Sequence, residues 1–476
     1  MQRSHKLTWK AYVLIGCIAL MLMAVPIILR FVNHAPLLIS DEPYLHLRAA
    51  NHITQYGITR IPGMAVDKVS FPPSPYDLLL SIMIKPLGEG ISSLILPMIL
   101  GIISAVLLCY MTHKAKMPRM MVMLTTLLFI STPIFVYTSI VSDDGALLMM
   151  LQLLFFTLYP QKKIWSFATS ILLSAGITLF GFAHLIIDIA YAIIVSVMLD
   201  KSAKRFVVYL FSNLFILGLV LPLINYEPTQ LLISTKPNAH LITDFGSPVG
   251  VSIFLFVLGI IGAFIIARHQ LILFCTGSIV CITALFSPIF YLYATLILSF
   301  FAAYAILFIM TRIWVLALVQ RFTLLLIVCG ILFSFVSYST NLAASPPDQP
   351  MINALLALSL YSNEESVVLT SSSEELYVQS IAKRRTYTNR QESGQEELEK
   401  ERIANAVFDS YNLNAASQIL EQQGITHIYI TPSMTNGEVW DAPNRGLALL
   451  VYNNETFKSS YESDGYGIWE LRSSLR

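Results

Sequence analysis

Apolar stretches of about 16 to 22 residues recur through the first 340 positions, each closed by a short polar connection. They fall at about 11–30, 91–112, 119–140, 145–160, 164–181, 183–199, 206–224, 250–267, 270–287, 289–310 and 322–340. Each approaches the length of helix that crosses ~30 Å of hydrocarbon. The pattern predicts eleven membrane spans, the fourth short and the fifth and sixth nearly continuous. The first run follows basic residues but lacks a small-residue cleavage site, so it reads as a retained span and not a removed signal. One segment breaks the rhythm: LLISDEPYLHLRAANHITQYG, residues 37–57, puts charge where a second span is due.

Composition agrees with the pattern. Hydrophobic residues make up 55% and charged residues 12% of the chain, and mean hydropathy is +0.67, far from a soluble domain's balance. Cationic flanks stay in the cytoplasm, and with the N-terminus inside, fourteen Lys and Arg of residues 1–340 fall on that side against six outside. An odd span count then puts the C-terminal region outside. Nine of the eleven carboxylates before residue 341 also face outward: Asp41, Glu42, Asp67, Asp77, Glu89, Asp143, Asp144, Glu227 and Asp244. All five cysteines lie in apolar runs, which leaves the external region without a disulfide and the chain without zinc spacing.

Past Tyr338 the linker STNLAASPPDQP leads into a region with eighteen Asp plus Glu against ten Lys plus Arg. ESVVLT (365–370) and THIYIT (426–431) read as short buried strands, with helical patterns around 374–383, 395–410 and 414–423 and Gly424 closing the last. The expected fold is a polytopic α-helical membrane protein: a transmembrane domain over 1–340, with an outer loop 31–90 carrying an interfacial helix, and a small extracytoplasmic α/β domain over 341–476. The latter carries no glycine-rich phosphate loop and no nucleophile elbow.

In the opening segment Ser40 or Asp41 is placed to cap a helix, with Pro43 in its first turn, Gly57 at its end and Leu45, Ala49 and Ile53 as an apolar stripe. Capping accounts for one carboxylate, not for the cluster. A second acidic group, TSIVSDDGALLMM, sets Asp143 and Asp144 in an outer turn, with Gly145 freeing the backbone. Paired acids repel unless a cation or hydrogen bonds compensate.

An N-terminal span, SDEPYLHLRAANHITQYG, FPPSPYDLLL and then SDDG together resemble the GT-C membrane glycosyltransferases. The Asp41-Glu42 pair is similar to the first-loop motif of protein O-mannosyltransferases and aminoarabinose transferases; YLHLR and SDDG look more like archaeal oligosaccharyltransferase catalytic subunits. The resemblance implies transfer of a sugar from a polyprenyl-phosphate carrier to a protein, lipid or glycan acceptor at the outer face of the cell membrane, with no nucleic-acid partner. It makes Asp41 the general base, with Glu42 orienting it or sharing a metal. Arg48, about two turns on, would meet the departing phosphate, and His46 and Lys85 become substrate contacts. A divalent ion, Mg or Mn, would take hard oxygen ligands from Asp41, Asp143 and Asp144.

The five tryptophans are never adjacent, so the WWDYG motif of oligosaccharyltransferases is missing. Sequon reading is not expected, and a monosaccharide donor is. Glu227, Lys236 and His240, with Asp244, sit in a long outer loop as further substrate contacts or as parts of a lid. His184 and Asp188 share one helical face, as a helix-holding pair or as part of a donor pocket. KRRTYTNR (383–390) reads as structural or as an acceptor contact. A lipid or polysaccharide transporter is the competing class, but it would place polar groups near the bilayer midplane.

Overall fold

The computed structural model describes residues 8–66, 70–199, 203–224, 242–245, 249–389, 395–442 and 444–472. Along these the chain forms α1 (Trp9–Val32), α2 (Glu42–Tyr56), α3 (Pro75–Leu87), α4 (Glu89–Lys114), α5 (Arg119–Ile130), α6 (Pro133–Ile140), α7 (Asp144–Leu158) and α8 (Ile164–Ile177). It continues through α9 (Phe182–Ile193), α10 (Ala203–Ile224), α11 (Ile253–Ala267), α12 (Leu271–Ala284), α13 (Tyr291–Thr311), α14 (Ala317–Ala343) and α15 (Gln349–Tyr361). Two compact units result: Met1–Leu29 with Leu94–Ala344, and Arg30–Ser93 with Ser345–Arg476. The outer loop, expected with the transmembrane domain, therefore groups with the C-terminal residues.

In the helical unit α1, α4, α14 and Pro288–Thr311, which contains α13, are each long and apolar enough to cross a membrane, and α5 and α6, bent by 62°, pass the same test only as a pair. Five further apolar helices have 10–17 residues. Helix length alone among the described residues thus does not reach eleven spans. Local breaks explain part of the difference. Thr132 caps α6 ahead of Pro133 and divides the 119–140 run, while Gly181, at φ +148°, ends the next-but-one run. Packing relies on small residues, as membrane helices do where no hydrophobic force separates protein from lipid. A Cβ on Gly262 of α11 would lie 1.8 Å from the Phe301 carbonyl of α13, and one on Gly259 would lie 2.5 Å from Leu298. The core around them includes Phe155, Tyr159, Tyr209, Leu258, Leu298 and Ala302.

In the other unit α15 covers a five-stranded sheet built from β1 (Val367–Leu369), β2 (Arg385–Thr386), β3 (His427–Ile430), β4 (Phe457–Ser463) and β5 (Tyr466–Leu471). The order is β2-β1-β3-β5-β4. β1 pairs in parallel with β2 and β3, with Val368 opposite His427, and β5 is antiparallel to β3 and β4. Gly424 ends the preceding helix at φ +68°. The outer loop joins this sheet at its edge: Thr386 donates to the Met64 carbonyl at 3.0 Å and accepts through its own carbonyl from Val66 at 3.2 Å. Arg30, fully buried, gathers the two chain segments by donating to the carbonyls of Pro36, Ser345 and Pro347.

Candidate active site

The start of α2 carries the first acidic group. Ser40 sits in the left-handed region at φ +72°, a strained conformation for a residue with a Cβ, and is held there by its N–H on the Pro346 carbonyl at 2.9 Å. Its hydroxyl donates to Asp41 Oδ1 at 2.8 Å, which also accepts from the Glu42 N–H at 3.1 Å. Asp41 is thus the helix cap and is 7% exposed. One turn further, His46 Nδ1 meets Asp77 Oδ1 at 2.6 Å, and Asp77 closes a capping box with Ser74 at the start of α3. Through this contact His46, expected to touch substrate, braces α2 against α3. Lys85 is exposed in the last turn of α3.

Arg48 differs from every other arginine with described contacts in this unit. None of its three guanidinium nitrogens, all buried, has a hydrogen-bond partner among the described residues. Its nearest aromatic company is the Phe71 ring, 5.9 Å from the guanidinium carbon. Burial lowers its pKa to about 10, which still leaves it charged at neutral pH. A planar guanidinium fork matches the geometry of carboxylate and phosphate oxygens.

Around Asp41 the C-terminal segment adds further groups. Tyr44 lies edge-on to Tyr377 with ring centroids 5.9 Å apart. Burial, then the Asp41 and Glu374 charges, push the Tyr377 hydroxyl upward, and burial pushes Tyr44 up to about 12. Glu374 is 6% exposed, and burial, followed by the charge of Glu438, raises it to about 7, with Asp41 a smaller cause. No sequence pattern marked Glu374, whose proximity to Asp41 depends on tertiary folding.

In the helical unit Asp143 caps α7 by accepting from the Gly145 N–H at 2.8 Å, and Asp144 is the first residue of the helix. Gly145 serves closeness and not turn conformation: a Cβ there would sit 3.0 Å from Asp143 Oδ1. Among the described residues no group of three His, Cys, Asp or Glu side chains is gathered to hold a metal ion. Glu227, Lys236 and His240 lie outside the described residues. Asp244 is a latch, accepting from the Ile253 N–H at 2.7 Å and the Ser334 hydroxyl at 2.6 Å. His184 and Asp188 do not pair directly. His184 Nδ1 meets the Tyr293 hydroxyl at 2.7 Å, Tyr293 donates to Gln152 Oε1 at 3.1 Å, and Gln152 donates to Asp188. The basic knot at 383–390 is structural at Arg384, which caps α15 through the carbonyls of Ser359 and Ser362 at 2.5 and 2.8 Å.

The fold of the chain is similar to that of several solved structures. Solved structures that share it include the Archaeoglobus fulgidus oligosaccharyltransferase tethered to an acceptor peptide with an NVT sequon, at TM-score 0.64 and 13% identity over 98% of this chain and 74% of that one. The same enzyme, AglB, with an inhibitory peptide and a dolichol-phosphate matches at TM-score 0.62 and 12% identity, over 98% and 75% of the two chains. ArnT from Cupriavidus metallidurans bound to undecaprenyl phosphate matches at TM-score 0.58 and 10% identity, over 97% of this chain and 98% of that one. A further Archaeoglobus structure is a complex with Zn and sulfate. No protein-family model matches the sequence, and no curated protein does.

Proposed function

We propose that the chain transfers a sugar, as a monosaccharide, from a polyprenyl-phosphate carrier to an acceptor at the outer face of the membrane. The observation that carries the reading is Arg48: a buried, charged guanidinium with no partner among the described residues, two turns from Asp41 on one helix. The oligosaccharyltransferase and ArnT structures that share the fold hold a dolichol-phosphate and an undecaprenyl phosphate, the anion class that Arg48 suits. The reading includes eleven spans, a cytoplasmic N-terminus and an external C-terminal region.

In the reaction Asp41 accepts the proton of the acceptor's hydroxyl or amide as that atom bonds to the anomeric carbon. The bond from that carbon to the carrier phosphate breaks with its electron pair left on the phosphate. Arg48 donates to the phosphate oxygens as their charge grows, in a site already stripped of water, where such donors act most strongly. Ser40 and the Glu42 N–H hold Asp41 Oδ1 and so orient the carboxylate. His46 and Asp77 fix the pitch of α2 and so the distance between base and guanidinium. Asp143 and Asp144 are the candidates for holding a divalent ion, and excess Mg or Mn restoring an Asp144→Asn enzyme would assign them the ion.

Purified protein in nanodiscs, given undecaprenyl-phosphate-linked monosaccharides, is expected to release undecaprenyl phosphate. Asp41→Asn keeps the cap, since Asn caps about as well as Asp, and lowers turnover by roughly 10²–10⁴. Arg48→Ala lowers it by roughly 10²–10³, the range for removing one charge-stabilising donor. Lipid scrambling without turnover would replace the glycosyltransferase with a transporter.

A further inference from the structure

Residues 159–205 carry five Lys and Arg against two Asp, and one of those, Asp188, is fully buried. Lys201 and Asp200, of opposite charge, lie outside the described residues. The other cations gather at one place. Arg205, at the start of α10, donates to the carbonyls of Tyr159 and, at 2.6 Å, Gln161, and its guanidinium carbon lies 5.1 Å from the centroids of both the Tyr159 and the Phe167 rings. Its charge is spent on holding the α7–α8 turn against α10. The hydroxyls of Ser174 on α8 and Tyr209 on α10 then meet at 2.8 Å, so the two helices start side by side from one end of the bundle. Lys162 and Lys163 on the turn and Lys204 on α10 are all exposed.

Beyond the lysines both helices turn apolar faces outward. Val208, Phe211 and Phe215, four, seven and eleven positions after Lys204 and so on its face of α10, are 51%, 68% and 70% exposed. On α8 Trp165 and Leu172, seven positions apart, are 82% and 65% exposed. Trp165 stands next to the lysines, at the junction of charge and apolar surface that indole rings occupy at a membrane–water interface. A surface cationic at its rim and apolar along two helices complements a molecule with an anionic head and acyl chains, and basic pockets between membrane helices bind such headgroups. Orientation in the membrane asks only for cations at one end. It does not ask that Arg205 clamp the turn that presents the others.

We infer that Lys162, Lys163 and Lys204, with the outward faces of α8 and α10, form a binding site for an anionic phospholipid. The 15 residues of α7 separate this end from Asp143 and Asp144, about 22 Å by helical rise, so the site is distinct from the candidate active site and does not rest on the transferase reading. With the proposed cytoplasmic N-terminus it faces the inner leaflet.

Trp165 is a built-in reporter for the test. The full-length protein in phosphatidylcholine nanodiscs is given increasing mole fractions of phosphatidylglycerol brominated near the headgroup end of its acyl chains. Emission of Trp165 is isolated as the difference between wild type and Trp165→Phe. Each lysine beside an anionic headgroup contributes roughly fivefold in binding, so the three predict half-quenching at a mole fraction about a hundredfold below that for brominated phosphatidylcholine. Lys162→Gln, Lys163→Gln and Lys204→Gln together are expected to erase the difference between the two lipids. Lys114→Gln, Lys116→Gln and Arg119→Gln together, which remove the same charge from the ends of α4 and α5, are expected to preserve it. Equal loss in the two triple variants assigns the preference to the general field of that end of the bundle and overturns the site, as does equal quenching by the two lipids in the wild type. Relief of quenching by excess inorganic phosphate makes the lysines a free-anion site and overturns the phospholipid as occupant.

Discussion

A guanidinium taken out of water without a hydrogen-bond acceptor loses its hydration and recovers little from an aromatic face, so Arg48 over Phe71 holds the fold back. Replacing an uncompensated buried charge with an apolar side chain of similar length is stabilising by ~1–4 kcal/mol where burial is complete. Arg48→Met is therefore expected to raise the thermal midpoint of the protein while abolishing donor turnover, and a lowered midpoint would mean that Arg48 has a structural partner. Glu374 gives the second expectation at this scale. Its carboxyl is raised from 4.5 to about 7, first by burial and then by Glu438, so the folded chain holds a proton that the unfolded chain releases. That contribution is complete below about pH 4.5 and is lost as pH rises through about 7, amounting to about 3 kcal/mol by linkage. Fluorescence of the buried Trp440 and Trp469, followed through heating from pH 4.5 to 8, should show the midpoint falling across this window and a flatter profile in Glu374→Gln. Of these residues Asp41 was legible as a cap, because a Ser-Asp pair before Glu-Pro is a local signal. The contacts of His46 and Glu374, and the Arg48 guanidinium without a hydrogen-bond partner among the described residues, were not, since they depend on Asp77, β3 and Phe71 arriving from elsewhere in the chain.

Between elements, the contact of α11 with α13 is decided by the absence of a side chain. A methyl group on Gly262 would enter the Phe301 carbonyl at 1.8 Å, and no side-chain rotation relieves a clash with backbone. Gly262→Ala is expected to separate the two helices and lower the thermal midpoint in detergent by several degrees, as overpacking of ~1–3 kcal/mol does; an unchanged midpoint would show that α13 yields freely. Gly218, with nothing within 4 Å of its Cβ position, is the matched control. The apolar runs announced most of these helices, but their ends were set by caps and glycines, which is why 119–140 became α5 and α6 with a 62° bend. The strands at 367–369 and 427–430 were legible from their β-branched and aromatic runs. The β4–β5 hairpin was also written locally, since Asp464 and Gly465 both take positive φ, at +54° and +82°, the combination that favours a two-residue turn. Its strands, polar on one face, carry a weaker hydrophobic signal than β3.

At the scale of the whole chain, the outer loop and the C-terminal region are one folding unit made from two distant pieces. At the edge of β2, Thr386 donates to the Met64 carbonyl and accepts from the Val66 N–H, 320 positions away, and no sequence period encodes a pairing at that distance. Tyr44 and Val66 pack against the cores of the C-terminal region, Ile61 and Ala65 are each 1% exposed, and Arg30 gathers carbonyls from both pieces. A segment of residues 345–476 alone would leave the β2 edge open, as an unpaired strand edge that invites association, and would expose the apolar surface that the loop covers. It is expected to unfold over a broad range and to self-associate. A single chain that joins residues 30–93 to 345–476 through a flexible linker is expected to unfold cooperatively, with a midpoint at least 10 °C higher, because the linker costs only loop-closure entropy that grows slowly with length. Circular dichroism and sedimentation of the two proteins decide the matter: equal cooperativity would show that the C-terminal region folds by itself and that the loop merely rests on it.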